Sequence, residues 1–438
     1  MSFSKYIIKG KVFLVEKIIS LVTFLVSIDF PFTNSILTIT NRITNITLRV
    51  YKLTYTSDMP ESQVVLYPKT EAETAEPKHL DGSQNIISHQ LPDIGFLRLK
   101  NAVLDPSSPV IRVDNKAVVQ STLSGPLKEY VVYSGRQLHA NSRKMVLFQE
   151  VEKKTIEKGI ALSGSYEKNW YHLLIEILPK LELVEKLDAQ FQEYPLILPA
   201  SLLEIPNIQA LIERLTCNVE VVFMEKLFSY EVADCIFIES PVLAPPKTKG
   251  NLVRTPTSQH IRPEIIKSFR SKILNLFTPE ELEPRPNEPT RIFLARGEYS
   301  TRPYNQDEVI NVFEKYGFQA IYSDQLLLVE QVRIFFNAEC IVGPSGAAWT
   351  NILFTRPSTK GLCFIPDIPY IQHAAPFSNL AHIFGMDLRY YFEPSNFTNW
   401  QNSFYPEKLF EFDTTTLSIA ASLLFAAETS GSEASVTH

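Results

Sequence analysis

Short apolar runs alternate with longer amphipathic segments from residue 291 to residue 391. The apolar runs predict strands at 291–294, 318–322, 340–342, 361–365 and 387–391, and the segments between them predict helices at 306–316, 329–336, 347–354 and 371–384. Short buried strands separated by helices indicate βαβ crossovers, which place the strands parallel in one sheet. This part of the chain is therefore predicted to be a Rossmann-like α/β domain.

The residues before this segment show a looser form of the same alternation. Strands are predicted at 130–133, 145–148, 160–162, 196–198, 219–223 and 235–238, and helices at 170–187, 207–215 and 264–277. Residues 278–289 contain four prolines, which cannot lie inside a helix, and they predict the boundary between two α/β domains. Two such domains favour a ligand site in the cleft between them.

The remaining segments complete a five-part organisation. Residues 1–55 are predicted to be a basic helical arm, residues 56–92 a polar linker with four prolines, and residues 396–438 a C-terminal helix at 415–427 followed by a tail. The two α/β domains then span residues 93–280 and 290–395.

Glycine is scarce in this chain, and the scarcity excludes the common phosphate loops. The 438 residues contain 15 glycines against 29 prolines. Neither G-x-G-x-x-G nor G-x-x-x-x-G-K-[ST] occurs, so a dinucleotide-binding loop and a P-loop are both absent from the sequence. The four cysteines form no C-x-x-C pair and no D-x-D triplet occurs, so no metal site is predicted.

Positive charge is concentrated at the start of the chain. Residues 1–52 carry five lysines and two arginines against Glu16 and Asp29, whereas the rest of the chain is net acidic. A basic arm suits an anionic membrane surface, although the apolar run at 18–28 is too short to span a membrane. The arm is therefore expected either to pack on the protein or to dock on a membrane face, and a true span is the least favoured alternative. The four cysteines, which form no pairing motif, indicate a reducing, cytoplasmic compartment. The acidic body argues against nucleic acid as a partner.

Three segments contain residues suited to chemistry. In the first, residues 164–180, His172 lies in the first turns of a predicted helix, and Glu176 is four residues further on the same face. A histidine near a helix N-terminus is favoured in its neutral form, which suits a general base. The alternative is a histidine that only packs on an apolar helix.

The second and third segments suit a diphosphate. Arg296 follows a predicted strand and Arg302 lies six residues later, so both could form charge-assisted hydrogen bonds with phosphates, or both could be solvated. Residues 343–346, Gly-Pro-Ser-Gly, lead from a buried strand into a helix, where small residues and unpaired N–H groups favour phosphate. Taken alone, this sequence could equally be a tight turn.

Two motifs together resemble those of the glycosyltransferase 61 family. They are N-W-Y-H-x-x-x-E-x-L-P, from residue 169, and E-Q-V-R-I-F-x-x-A-x-x-I-V-G-P-S-G-A-A-W-T-N, from residue 330. The resemblance covers about residues 90–395. The members of this family include bacterial capsular polysaccharide enzymes, plant xylan-decorating transferases and eukaryotic O-linked transferases. It implies a GT-B-like α/β fold, in which two Rossmann-like domains face a cleft, with the first domain on the acceptor side and the second holding a nucleotide-sugar donor.

The resemblance also assigns site residues. Donor contacts are implied for Arg296, Arg302, Glu330, Gln331, Ser345, Gly346, Ala347 and Asn351, and the histidine of the first motif is His172. Three positions depart from the family pattern: Ser345 stands where many members have histidine, Lys180 replaces an arginine and Ala295 replaces a serine.

The implied function is inverting transfer of a sugar to a glycan or lipid-linked hydroxyl, without a metal or other cofactor, in cell-surface or capsular polysaccharide synthesis. His172 would act as the base, with Glu176 orienting it or replacing it. The alternatives are a non-catalytic, membrane-associated scaffold of polysaccharide assembly and a sugar-binding module, although the aromatic residues are scattered as in an ordinary core.

Overall fold

The computed structural model divides into two compact units. It describes residues 47–106, 108–120, 131–132, 137–140, 143–150, 152–243, 247–248, 260–297, 303–367, 375–394 and 411–429, together with Leu21. The first unit takes the described residues within Met1–Lys69, Pro92–Ile205 and Thr216–Leu252. The second takes those within Thr70–Leu91, Pro206–Leu215 and Val253–His438.

The described strands and helices are numbered here in chain order. The strands are β1 Thr47–Tyr55, β2 Gln63–Tyr67, β3 Thr70–Ala75, β4 Ile86–Leu91, β5 Ile94–Leu104, β6 Ile111–Val113, β7 Lys116–Val119, β8 Val131–Val132, β9 Gln137–Ala140, β10 Lys144–Gln149, β11 Lys153–Ala161, β12 Leu196–Pro199, β13 Val221–Met224, β14 Ser229–Ile238, β15 Val242–Leu243, β16 Lys247–Thr248, β17 His260–Ile261, β18 Arg291–Leu294, β19 Gln319–Ile321, β20 Cys340–Pro344, β21 Lys360–Asp367 and β22 Asp387–Pro394. The α-helices are α1 Leu181–Val184, α2 Pro206–Leu215, α3 Pro263–Leu274, α4 Pro279–Leu282, α5 Gln306–Glu314, α6 Leu328–Asn337, α7 Ala375–Phe384 and α8 Thr414–Thr429. Tighter 3₁₀ turns are Thr56–Asp58, Leu178–Lys180, Ala189–Phe191, Ala200–Glu204 and Ala347–Phe354, and His172–Ile177 is π-helical.

The first unit contains a mixed sheet of eleven strands. The order is β13-β12-β11-β14-β5-β6-β7-β1-β10-β9, and β2 also pairs with β5. The strands from β13 to β14 run parallel, as the predicted alternation requires. From β14 onward the pairs are antiparallel, except that β7 runs parallel to β1. The Rossmann-like prediction therefore applies only to the part from β11 to β14, because short connections such as Asp114–Asn115 between β6 and β7 allow only antiparallel neighbours.

The second unit contains a five-stranded parallel sheet, which confirms the alternation predicted from the sequence. The order is β19-β18-β20-β21-β22 and every pair is parallel. The first strand of this sheet, β18, lies between the second and the third, which is the doubly wound order with a switch point between β18 and β20. Ligands of such sheets bind at the carboxyl ends of the strands beside the switch point.

Aromatic packing forms the core of the second unit. Phe313 on α5 stacks on Phe364 of β21 with ring centroids 5.9 Å apart, and Phe293 of β18 lies 5.7 Å from Phe313. The C-terminal helix α8 packs on this same core through Phe425, whose ring lies 5.0 Å from that of Phe318. The apolar face of α8 is buried within its own unit.

Two predictions for the first ninety residues are wrong. Residues 47–55, which the sequence predicts to be the end of a helical arm, form the strand β1 within the large sheet, with alternating buried positions at Leu48 and Val50. Residues 56–92 are not a linker, since they contain β2, β3 and β4. The four prolines that suggested a linker all lie in the connections between strands, where a missing N–H costs no ladder hydrogen bond. Residues 1–46 other than Leu21 lie outside the described residues, so membrane docking by the arm stays a prediction.

The β3–β4 hairpin belongs to the second unit and covers the edge of its sheet. Tyr390 N–H on β22 donates to Lys78 O at 2.8 Å, and Lys78 Nζ lies 2.7 Å from Asp387 Oδ1. On α7, Ser378 Oγ donates to Ala75 O at 2.7 Å. An exposed edge strand invites pairing with other chains, and this hairpin satisfies part of that edge within the chain.

The predicted domain boundary at residues 278–289 is also wrong. That segment contains α4 and lies inside the second unit, as do α2 and α3. A buried ion pair holds this segment against α6, because Glu288 accepts from Arg333, whose side chain is only 2% exposed. The GT-B arrangement of two domains around a cleft stays a prediction.

Within the described part of the chain, no helix combines the length and the apolar character that a membrane span requires.

Candidate active site

His172 and Glu176 form a hydrogen-bonded pair in the first unit. His172 Nδ1 lies 2.8 Å from Glu176 Oε2, with the two side chains 20% and 6% exposed. Asn169 Oδ1 accepts from the backbone N–H of Tyr171 at 3.0 Å and thereby starts the helical segment. The sequence predicted that this pair shares one helix face, and the structure brings the two side chains into contact.

The helix that carries the pair is irregular at that point. Leu178 N–H bonds to Leu173 O, which is the wider i→i−5 spacing of a π-helix, and a 3₁₀ turn that contains Pro179 follows at Leu178–Lys180. The regular helix predicted over 170–187 is therefore wrong in detail, because proline removes a donor from the ladder. Gly164 packs directly beneath this segment, since a Cβ there would lie 2.4 Å from Ile177 Cγ1. Single π turns occur frequently at functional sites.

Further ionisable groups are buried in the same unit close to the pair. Lys180 is 3% exposed and its Nζ donates to Ser163 O at 2.7 Å. Glu239 is 2% exposed and accepts from Thr56 Oγ1 at 2.6 Å and Gly95 N–H at 2.8 Å. Burial raises the pKa of Glu239. Burial also lowers the pKa of Lys180 to about 8, and the nearby charges of Glu176 and Glu239 offset part of that decrease.

The buried ammonium group of Lys180 makes the stability of the protein depend on pH. Below about pH 8 this lysine is charged in both the folded and the unfolded chain, so the cost of burying the charge is fully present. Between about pH 8 and its ordinary pKa of 10.5, the folded chain loses the proton first and that cost is relieved. We expect the free energy of unfolding of the wild type to rise relative to Lys180→Met by up to about 3 kcal/mol across this range.

Urea unfolding of both proteins at several pH values measures this difference. Lys186→Met is the matched control, because Lys186 lies in the turn just after α1 and is exposed. Parallel pH profiles for the wild type and Lys180→Met would contradict the prediction.

In the second unit, Arg296 lies where ligands of a doubly wound sheet bind. It follows β18 at the switch point, and its Nη2 donates to Ser345 O, after β20, at 2.8 Å. The side chain of Gln306, the first residue of α5, forms two hydrogen bonds with the backbone of Arg296. The Arg296 N–H donates to Gln306 Oε1 at 2.7 Å, and Gln306 Nε2 donates to Arg296 O at 3.1 Å. Tyr304 supports the guanidinium, whose carbon lies 5.3 Å from the ring centroid. Arg302, the second arginine predicted here, lies outside the described residues.

The end of β20 approaches β18 closely. A Cβ at Gly343 would lie 2.7 Å from Leu294 Cβ, so only glycine allows this spacing of the two strands. Ser345 N–H donates to Phe364 O at 3.0 Å, and the Gly346 carbonyl accepts from Trp349 N–H at 3.0 Å. The helix predicted over 347–354, which begins at Ala347, is present as a 3₁₀ helix.

Three residues assigned to the donor from the resemblance have structural partners. Gln331 and Asn351 are buried and joined by a hydrogen bond, in which Gln331 Nε2 donates to Asn351 Oδ1 at 2.8 Å. Asn207 of α2 donates to Gln331 Oε1 at 2.9 Å. Glu330 Oε2 accepts from Leu327 N–H at 2.9 Å at the start of α6. These bonds fix the 3₁₀ helix against α6, and direct donor contacts by the three residues stay predictions.

Sequence reasoning missed two residues that shape these sites. Gln306 had no signal, because a glutamine at a helix start is common and its partner lies ten residues earlier. Tyr166 lies beside the quoted motif but carries no signal either, since only its backbone conformation and its contact with His172 distinguish it.

Fold and site together define an α/β protein with a doubly wound parallel sheet in one unit and a His–carboxylate pair in the other. The family model described as Glycosyltransferase 61 matches residues 170–362. This match confirms the resemblance over those residues and supports a glycosyltransferase, a class of enzyme that in general takes a sugar donor and a glycan acceptor. The matched range contains His172, Glu176, Arg296 and the whole second motif. No curated protein matches the chain.

Proposed function

We propose that the protein is an inverting glycosyltransferase that moves a sugar from a nucleotide-sugar donor to a hydroxyl of a glycan or glycoconjugate, without a metal cofactor. The observation that carries the proposal is the hydrogen bond of 2.8 Å between His172 Nδ1 and the nearly buried Glu176. A carboxylate on Nδ1 fixes the tautomer and orientation of the ring, so a proton taken from an acceptor goes to Nε2.

The state of Glu176 supports this assignment. Its Oε1 is buried and has no hydrogen-bond partner among the described residues. An unsatisfied buried carboxylate oxygen is costly and is uncommon where a residue serves stability alone. A negative charge held beside the ring instead stabilises the imidazolium that forms during the reaction.

In the proposed reaction, the acceptor oxygen attacks the anomeric carbon as its proton passes to His172 Nε2. The bond between that carbon and the diphosphate breaks, and the nucleoside diphosphate leaves with the electron pair. Because the attack comes from the face opposite the leaving group, the configuration of the carbon inverts. The charge developing on the diphosphate is stabilised by Arg296 and by the N–H groups at the start of the 3₁₀ helix.

The absence of a metal from the mechanism stays a prediction. Among the residues that the structure describes, no group of three or more His, Cys, Asp or Glu side chains is placed to hold a metal ion. The cation proposed to neutralise the leaving diphosphate is the guanidinium of Arg296.

The test is a screen of the full chain with UDP, GDP, CMP and dTDP sugars. Calorimetry measures binding of each nucleotide, and NMR of the product reports the configuration of the transferred sugar. We expect one nucleotide class to bind, the anomeric configuration to invert, and both results to survive excess EDTA. Retained configuration would exclude the inverting mechanism. Binding of no nucleotide would favour the non-catalytic scaffold of cell-surface or capsular polysaccharide assembly.

A further inference from the structure

An exposed tyrosine lies directly beside the candidate base. Tyr166 is 50% exposed, and its ring centroid lies 5.3 Å from that of His172 with the two planes inclined at 35°. The His172 side chain is only 20% exposed, so Tyr166 is the more exposed of the two residues.

The backbone holds Tyr166 in a costly conformation. Its φ is +53°, in the left-handed region that glycine and asparagine adopt easily and an aromatic residue does not. The Tyr166 carbonyl accepts from Asn169 N–H at 2.8 Å, so the turn that exposes the ring leads directly into the helix of His172. Backbone strain of this kind is concentrated at functional sites.

The residues on both sides of Tyr166 are anchored. Ser165 is 8% exposed and Glu167 is 4% exposed, and Glu167 Oε1 accepts from Ser201 Oγ at 2.8 Å. The next residue, Lys168, pairs with Glu204. An exposed ring on a fixed turn loses little conformational entropy when a ligand covers it, unlike an exposed ring on a loose loop.

We propose that Tyr166 is a stacking platform for a pyranose ring of the acceptor and thereby selects a sugar as the acceptor group. This inference rests on the proposed function and specifies its acceptor. One face of a pyranose carries several polarised C–H bonds, which pack well on the electron-rich face of an aromatic ring. A sugar on Tyr166 brings a ring hydroxyl to the adjacent imidazole, which is the geometry that proton transfer needs.

The test measures sugar binding without any donor or turnover. The probes are the methyl pyranosides of β-glucose, β-galactose, β-xylose and α-mannose, titrated by NMR against the full chain. We expect at least one probe to bind, Tyr166→Ala to weaken that binding about tenfold, and Tyr166→Phe to stay within about twofold of the wild type because the ring face is kept.

Leu227→Ala is the matched control. Leu227 is also an exposed apolar residue with a positive φ, +72°, in a turn of the same unit, and it has no described contact with His172. The control variant should bind the probes like the wild type. Binding of none of the four probes to the wild type, or equal binding to the wild type and Tyr166→Ala, would overturn the proposal.

The two proposals fail separately. Sugar binding that depends on Tyr166 in a protein that transfers no sugar would keep the platform and remove the transferase mechanism. Transfer that is unchanged in Tyr166→Ala would keep the mechanism and remove the platform.

Discussion

His172→Ala is expected to lower the rate of sugar transfer by about 10²-fold to 10⁴-fold, the usual contribution of a general base. Nucleotide binding should remain at the wild-type level, because the residues proposed to contact the diphosphate lie in the other unit. Glu176→Gln keeps the size of the side chain but removes its charge, and we expect a smaller loss of about 10-fold to 100-fold, as for other groups that orient a reactive imidazole. Single-turnover transfer rates and nucleotide calorimetry measure the two effects.

The chain offers a second His–Glu pair as the control. His382 Nε2 lies 3.3 Å from Glu73 Oε2 in the second unit, with side chains 29% and 58% exposed. We expect His382→Ala to transfer sugar like the wild type, because neither residue of that pair is proposed to contact the donor or the acceptor. Wild-type rates in His172→Ala would contradict the assignment of the base and would make a carboxylate, with Glu176 first, the next candidate.

Arg296→Ala is expected to weaken nucleotide binding by about 10²-fold, because one guanidinium contact with a diphosphate is lost in a partly desolvated site. Arg296→Lys should recover part of that loss, since it restores the charge but not the planar set of donors. Arg296 also bonds to Ser345 O, so the turn after β20 loses one support in both variants. Thermal unfolding of each variant separates that structural effect from the loss of a ligand contact.

Arg291 provides the control on the same strand. It begins β18, at the end of the strand opposite Arg296, and its Nη1 donates to Tyr316 O at 3.0 Å. Ligands of a parallel sheet bind at the carboxyl ends of its strands, so Arg291→Ala should leave the nucleotide affinity unchanged. Equal losses in Arg291→Ala and Arg296→Ala would indicate damage to the sheet and would contradict a phosphate contact by Arg296.

Much of the second unit and of the site could be predicted from the sequence. Each strand of the parallel sheet is a short apolar run between helices, so a local pattern suffices to identify it. The His172–Glu176 contact also follows from a local rule, since residues four apart share a helix face. By contrast, the roles of Gln331 and Asn351 depend on a bond between residues 20 positions apart on two different elements, and no local pattern specifies that bond.

The sequence by itself determined which family the chain resembles, which segments form the parallel sheet and where the chemically suited residues follow its strands. These properties depend on side-chain periodicity and motif spacing, which are local. Only the tertiary structure decided that β1 and β2 join the large sheet. It further decided that the β3–β4 hairpin packs on residues more than 300 positions later in the chain, where Ala75 O accepts from Ser378 and Lys78 pairs with Arg389 of β22. It also decided that Tyr166 is held beside His172. Polar, proline-containing segments carry too weak a pattern to select such distant partners, and the burial of backbone hydrogen bonds against an available sheet edge makes that choice.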